Sequence, residues 1–130
     1  MNVDLPAFAP ATLIGTMPVA DLDLVNGVVY AKVEGREELT AILRSGDFRT
    51  LNITRKANLT MSDVKESADE LSFTVTADIF AYGVNFGTPA AYRFSDQYFT
   101  LLPGESRRIT LKNPGKLKAS DIKLDCICVK

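Results

Sequence analysis

The chain has 130 residues and a mass of 14.2 kDa, with 46% hydrophobic and 24% charged residues and a formal net charge of −1. That length suits one domain with a real core, and the composition is that of a globular protein rather than a disordered one. It contains no histidine and no tryptophan, which excludes a Ser-His-Asp triad, a Cys-His pair and any zinc site with a histidine ligand.

The first 27 residues read as an extended lead-in or linker, punctuated by Pro6, Pro10, Gly15, Pro18 and Gly27. The start MNVDLPAFAP has neither a basic region nor a sustained apolar run, so no secretory signal is expected there. The uncharged stretch from Leu5 to Ala20 is too short and too proline-rich to span a bilayer, so no membrane span is expected. From residue 28 to 130 the pattern is that of one folded domain. Val28 to Val33 is β-branched and aromatic between Gly27 and Gly35, and predicts a strand. Over 36–45, Leu39, Ile42 and Leu43 stand at helical spacing with glutamates early and Gly46 after, which predicts a short helix. The alternative is a strand from Leu39 to Leu43.

Leu51 and Ile53, then Leu59, Met61 and Asp63, alternate with neighbours on the opposite parity. The clearest strand is Leu71 to Asp78, with Leu71, Phe73, Val75 and Ala77 on one face and Ser, Thr, Thr and Asp on the other. Phe80, Tyr82, Val84 and Phe86 repeat the alternation, which puts Tyr82 on the core side. Tyr92–Phe94, Tyr98–Leu101, Arg108–Leu111 and Ile122–Val129 complete the set. Many short strands separated by turn signals predict an all-β, immunoglobulin-like antiparallel β-sandwich. Between two of them, Leu102-Pro103-Gly104-Glu105 has Pro to preset φ and Gly to supply a positive φ, the type II signature, expected to reverse the chain.

Cys126 and Cys128 point to one face of a strand, where they cannot readily bridge to each other. No further Cys or His exists to complete a metal site, so they read as buried thiols. No cofactor or metal is expected. The near-neutral charge argues against nucleic acid as a partner. Residues 105–130 nevertheless carry seven bases against three acids. That set, with Arg107 and Lys112 in it, reads either as a solvated strand edge or as a docking patch for an acidic surface. Asn52-Ile53-Thr54 and Asn58-Leu59-Thr60 fit the N-glycosylation pattern, which matters only in a secreted eukaryotic protein.

The stretch Phe94-Ser95-Asp96-Gln97-Tyr98-Phe99-Thr100-Leu101-Leu102-Pro103-Gly104-Glu105 resembles the F-S-D-N-Y-F-x-L-L-P-G-E segment near the end of β-mannosidases of glycoside hydrolase family two. There it lies in a small C-terminal immunoglobulin-like domain, and the likeness extends over about residues 58–128, with Gln97 where the family often has Asn. The resemblance implies a non-catalytic accessory domain that packs against the catalytic barrel in the remainder of a larger glycosidase polypeptide. The family's two catalytic glutamates belong to that barrel, so the resemblance assigns no catalytic residue here. Ser95, Asp96, Tyr98, Phe99, Pro103, Gly104 and Glu105 form a structural turn motif, and Tyr92, Arg107 and Lys112 are candidate interface residues.

Glycoside hydrolysis requires two carboxyls facing each other at about 5 to 10 Å. Asp63, Asp69, Glu70, Asp78 and Asp96 are the candidates, and turn or capping roles suit them better. Isolated acids also fall short of the calcium ion's demand for about six to eight oxygens. Tyr82, Tyr92 and Tyr98 raise the other possibility for the chain, an independent carbohydrate-binding or cell-surface module with a tyrosine stacking platform.

Overall fold

A computed structural model describes residues 27–43, 55–88 and 91–127, together with positions 13, 15–16 and 18. By internal packing the chain divides into two compact units, Met1–Asn52 and Ile53–Lys130. The strands that sequence reading grouped from residue 28 onward are thus shared between the two units. Leu51 and Ile53, and Cys128, lie outside the described residues.

In the first unit β1 (Val29–Val33) pairs antiparallel with β2 (Arg36–Leu43), from Val29 opposite Leu43 to Val33 opposite Arg36. The helix expected over 36–45 is absent: residues 36–43 are a strand, in line with the alternative reading. Gly35, at a φ of 74°, closes a two-residue turn after Glu34, and the β-branched Thr40 and Ile42 suit the pleat. A ladder along β1 satisfies more backbone groups than two helical turns, whose nucleation is costly.

Among its described residues the second unit is all-β, with two three-stranded antiparallel sheets. One has the order β3 (Leu59–Glu66), β4 (Glu70–Ala77), β7 (Ser106–Lys112); the other has β6 (Phe99–Leu101), β5 (Ala81–Asn85), β8 (Asp125–Ile127). A single 3-10 turn at Ala119–Asp121 precedes β8. The core lies between the sheets. Leu71, Phe73, Val75 and Ala77 of β4, all buried, meet Ala81 and Val84 of β5, Phe86 beyond it, Leu101 of β6, and Ile109 and Leu111 of β7. The period-two alternation of β4 is therefore what the core is built on. Phe73 and Phe86 meet edge to face at 5.4 Å, and Phe94 and Phe99 extend the aromatic cluster around Phe86 at 4.6 and 6.2 Å. Such pairs add about 0.5–1.5 kcal/mol each beyond the area they bury.

Two bulges set which side chains reach that core. In β5, Ala81 pairs with Leu101 and Val84 with Phe99, so the strand carries one extra residue there. The extra residue sits at Gly83, with a φ of 63°. Side-chain parity changes across it: Ala81 and Val84 are both buried, whereas Phe80 and Tyr82 are only half-buried. The expectation that Tyr82 shares the core face with Phe86 is thereby corrected. In β3 a second bulge lies between Ser62 and Lys65, with Asp63 at a φ of 49°. It ends the alternation that sequence reading carried through Asp63 and Val64.

On the outer face of the first sheet, Arg108 donates to the Asp63 carbonyl at 3.0 Å and to the Ser72 hydroxyl at 2.6 Å. One guanidinium therefore ties β7 to both β4 and the bulge of β3, and it satisfies Ser72, which is buried. Tyr92–Phe94, expected as a strand, contributes a single bridge between Phe94 and Leu111.

Candidate functional site

The residues singled out from sequence fall on the segment that crosses from one sheet to the other, 94–107, except Tyr92 before it and Lys112 beyond it. Its first part is fastened to β7. The Ser95 N–H donates to the Thr110 carbonyl at 2.7 Å, and the Ser95 hydroxyl accepts the Thr110 N–H at 3.0 Å. Ser95 thus acts on the backbone, as a short polar residue at a change of direction does. Asp96 does something else: its carboxylate accepts from Arg107 Nη1 at 2.6 Å. The Arg107 guanidinium lies 4.7 Å above the centre of the Phe99 ring, which is itself buried. Arg107 is consequently held by a carboxylate and an aromatic face together. The ion pair is more than a third exposed, so it is worth at most about 1 kcal/mol, and the cation–π contact adds about 0.5–1 kcal/mol.

Tyr98 takes up the left-handed conformation, with a φ of 58°, and its N–H donates to the Val84 carbonyl at 2.7 Å. Its side chain stands in solvent at 67% exposure. A bulky residue in that region of backbone space is strained, and here the strain holds a large aromatic on the surface.

The Leu102–Glu105 turn has Gly104 at a φ of 74°, and the Glu105 N–H donates to the Leu102 carbonyl at 2.9 Å. The Glu105 carboxylate reaches back to accept the Leu102 N–H at 3.0 Å. Gly104 and Glu105 also bond the backbone of Ala77, at 2.8 and 3.3 Å, which anchors the turn to the end of β4. The turn does reverse the chain, but it joins strands of different sheets rather than making a hairpin. The motif Pro-Gly-Glu therefore serves a sheet crossing.

The three interface candidates part company. Tyr92 packs against the core, Arg107 is engaged by Asp96 and Phe99, and Lys112 is exposed opposite Glu70. Of the carboxylates weighed for catalysis, Asp96 is bound to Arg107 and Asp78 to Asn58. Asp78 accepts the Asn58 backbone N–H and side-chain amide, each at 2.8 Å, with Arg55 at 3.9 Å. The Asn58 backbone N–H, the Asn58 amide and Arg55 hold the Asp78 carboxyl below its ordinary value, against partial burial. Among the described residues no three His, Cys, Asp or Glu side chains gather in a group able to hold a metal ion. None of the described helical segments is long and apolar enough to cross a membrane.

Sequence patterning marks no element over 55–58. Besides the Asp78 contacts, Lys56 pairs with Asp125 at 2.5 Å, Ala57 is buried, and Cys126 Sγ lies 4.0 Å from the Ala57 carbonyl. The segment leading into β3 is thus pinned at Asp78, just past β4, and at β8 in the other sheet. Two bases at 55 and 56 and two acids as far off as 78 and 125 form no local pattern that would announce the pairing.

Two packed antiparallel sheets, crossed by a Pro-Gly-Glu turn and closed by an aromatic core, define an immunoglobulin-like β-sandwich. A family model for Ig-fold domains, Ig_mannosidase, matches residues 54–125, more than half of the chain. The chain belongs to that family of Ig-fold domains associated with mannosidases. No curated protein matches it.

Proposed function

We propose that this chain is a non-catalytic accessory domain of a β-mannosidase-like glycoside hydrolase, packing against the catalytic barrel of the larger enzyme. The observation that carries the reading is the Ig_mannosidase match, which spans nearly all of the described sandwich. The chemistry of the carboxylates agrees with it. Asp78 and Asp96 are tied to Asn58 and Arg107, an anchoring role that suits short carboxylates at changes of chain direction. Tyr98 and Lys112 are exposed and available for docking. Tyr98 is displayed on a loop fastened at Ser95, Tyr98 and Phe99, so little order is lost when it is covered.

The test uses the whole 130-residue chain and the glycosidase barrel polypeptide from the same source. Alone, the chain gives no turnover of an aryl β-mannoside. Added to the barrel, it forms a complex in sedimentation and raises the barrel's thermal midpoint. Tyr98→Asn, which tolerates the left-handed backbone, weakens that complex by about tenfold or more while the chain stays folded. Turnover by the isolated chain, or a barrel indifferent to its addition, overturns the reading. The exposure of Tyr98 also supports the second reading, a carbohydrate-binding module. Saturable binding of oligosaccharide by the isolated chain, abolished in Tyr98→Asn, would establish that instead.

A further inference from the structure

Residues 55–58 touch both sheets just ahead of β3, and what fastens them differs from what holds the core. On the side of the first sheet, Asp78, one residue past β4, accepts the Asn58 N–H and the Asn58 side-chain amide, each at 2.8 Å, with Arg55 at 3.9 Å. The Asp78 N–H donates in return to the Asn58 carbonyl at 3.2 Å, just before the β3–β4 ladder starts at Leu59 opposite Ala77. On the side of the second sheet, Asp125 of β8 holds Lys56 at 2.5 Å, and the Ala57 carbonyl lies 4.0 Å from Cys126 Sγ. Ala57 is the one buried residue of these four, and it gives the core a single methyl. The side chains of Arg55, Asp78, Lys56 and Asp125 all stand partly in solvent, where ion pairs hold weakly. The core proper rests on large apolar side chains, with Leu71, Phe73, Phe86 and Ile109 fully buried. Detaching 55–58 therefore uncovers far less apolar surface than parting the sheets.

We infer that residues 55–58 form a strap, latched by one aspartate from each sheet, which opens about the start of β3 and bares the Cys126 thiol while the sandwich stays folded. Asp78 is the principal latch, because it holds three groups of the strap: a backbone N–H, an amide and a guanidinium. Without it the strap loses its side-chain fastening to the first sheet, and the hold over Cys126 passes to Lys56 and Ala57. Segments that bury little and are held by partly solvated polar contacts open locally, at a lower free energy than the whole domain. Cys126, 6% exposed, reports the opening because its sulfur abuts the strap carbonyl.

The test follows labelling of Cys126 by dithiobis-nitrobenzoate in the full chain carrying Cys128→Ser, which leaves one thiol. At low urea the labelling rate is expected to be nearly flat in denaturant, since local opening exposes little surface, and to take on the global slope only near the midpoint. Asp78→Ala, a change on the sheet opposite Cys126, is expected to speed labelling without urea by about tenfold or more. Ile109→Val, a core change in β7, controls for lost global stability and leaves the low-urea rate within about twofold. A rate that carries the full global slope from zero urea upward overturns the inference. So does an Asp78→Ala chain, folded by circular dichroism, that labels no faster than Ile109→Val. Labelling of the parent chain at the rate of an unfolded thiol means that nothing is latched, and overturns it as well. The urea slope of the parent chain needs no Asp78 variant and decides alone where Asp78→Ala does not fold.

Discussion

Gly83 decides the parity of β5, and it does so with a conformation that side chains resist. Its φ is 63°, and a Cβ placed there would stand 2.6 Å from the Ile127 Cδ1 atom. The end of the isoleucine side chain can move, but the backbone conformation cannot be relieved. Gly83→Ala is therefore expected to cost about 1–3 kcal/mol, read as a lower urea midpoint at unchanged slope. The same residue explains a failure of sequence reading. Phe80, Tyr82, Val84 and Phe86 alternate without a break, and period-two reasoning has no means to register an extra residue whose only mark is a glycine. Leu71 to Ala77 was legible because nothing interrupts its pleat, and all of its inward residues are buried. At 94–105 the motif gave the turn and the Ser95 anchorage. That Asp96 would hold Arg107 over Phe99, and that Tyr98 would face water, depends on β7 and β5 being brought alongside. Such neighbours are set by the assembled sheets and not by local order.

At the scale of elements, segment 55–58 and the strands it touches respond to acid. Asp78 is lowered by the Asn58 backbone N–H first. Asp125 is lowered by its bond to Lys56 first, then by the Cys126 N–H, with partial burial opposing in both. A carboxyl whose folded value lies below the unfolded one stabilises fully above the unfolded value. That stability is lost as pH falls through the folded value. The contributions of Asp78 and Asp125 are thus expected to be fully present above the ordinary aspartate value of 3.8 and to be lost as pH falls below it. In Asp78→Asn the neutral stability falls and the acid limb flattens, which urea midpoints across pH will show. The β1–β2 hairpin carries the lesson from the other direction. Leu39, Ile42 and Leu43 fit a helix in spacing, yet the turn at Glu34-Gly35 offers β1 as a partner. Short apolar runs are ambiguous by period alone, and the available ladder resolves them.

On the scale of the whole chain, all-β architecture was legible because alternation and turn signals recur through the second half, and each marks a strand end physically. The boundary between units was not. Val28 to Leu43 and the sandwich share β character, and composition does not shift between Asn52 and Ile53, where packing divides them. We propose that the sandwich carries its own stability. Residues 53–130, expressed alone, are expected to unfold in one cooperative transition with a midpoint close to that of the full chain. A broad or absent transition would show that the first unit supports it. The order of the strands in the second sheet has a consequence for how that unit is made. β3 and β4 are neighbours in sequence as well as in the sheet, whereas β5 pairs on one side with β8 near the end of the chain. During synthesis the first sheet begins to zip as soon as β4 leaves the ribosome, but one side of β5 stays unmatched until the final strand emerges. Made from the N-terminus onward, β5 therefore keeps one backbone edge unpaired until β8 has followed it, so the second sheet closes only after the β3–β4 pair has formed.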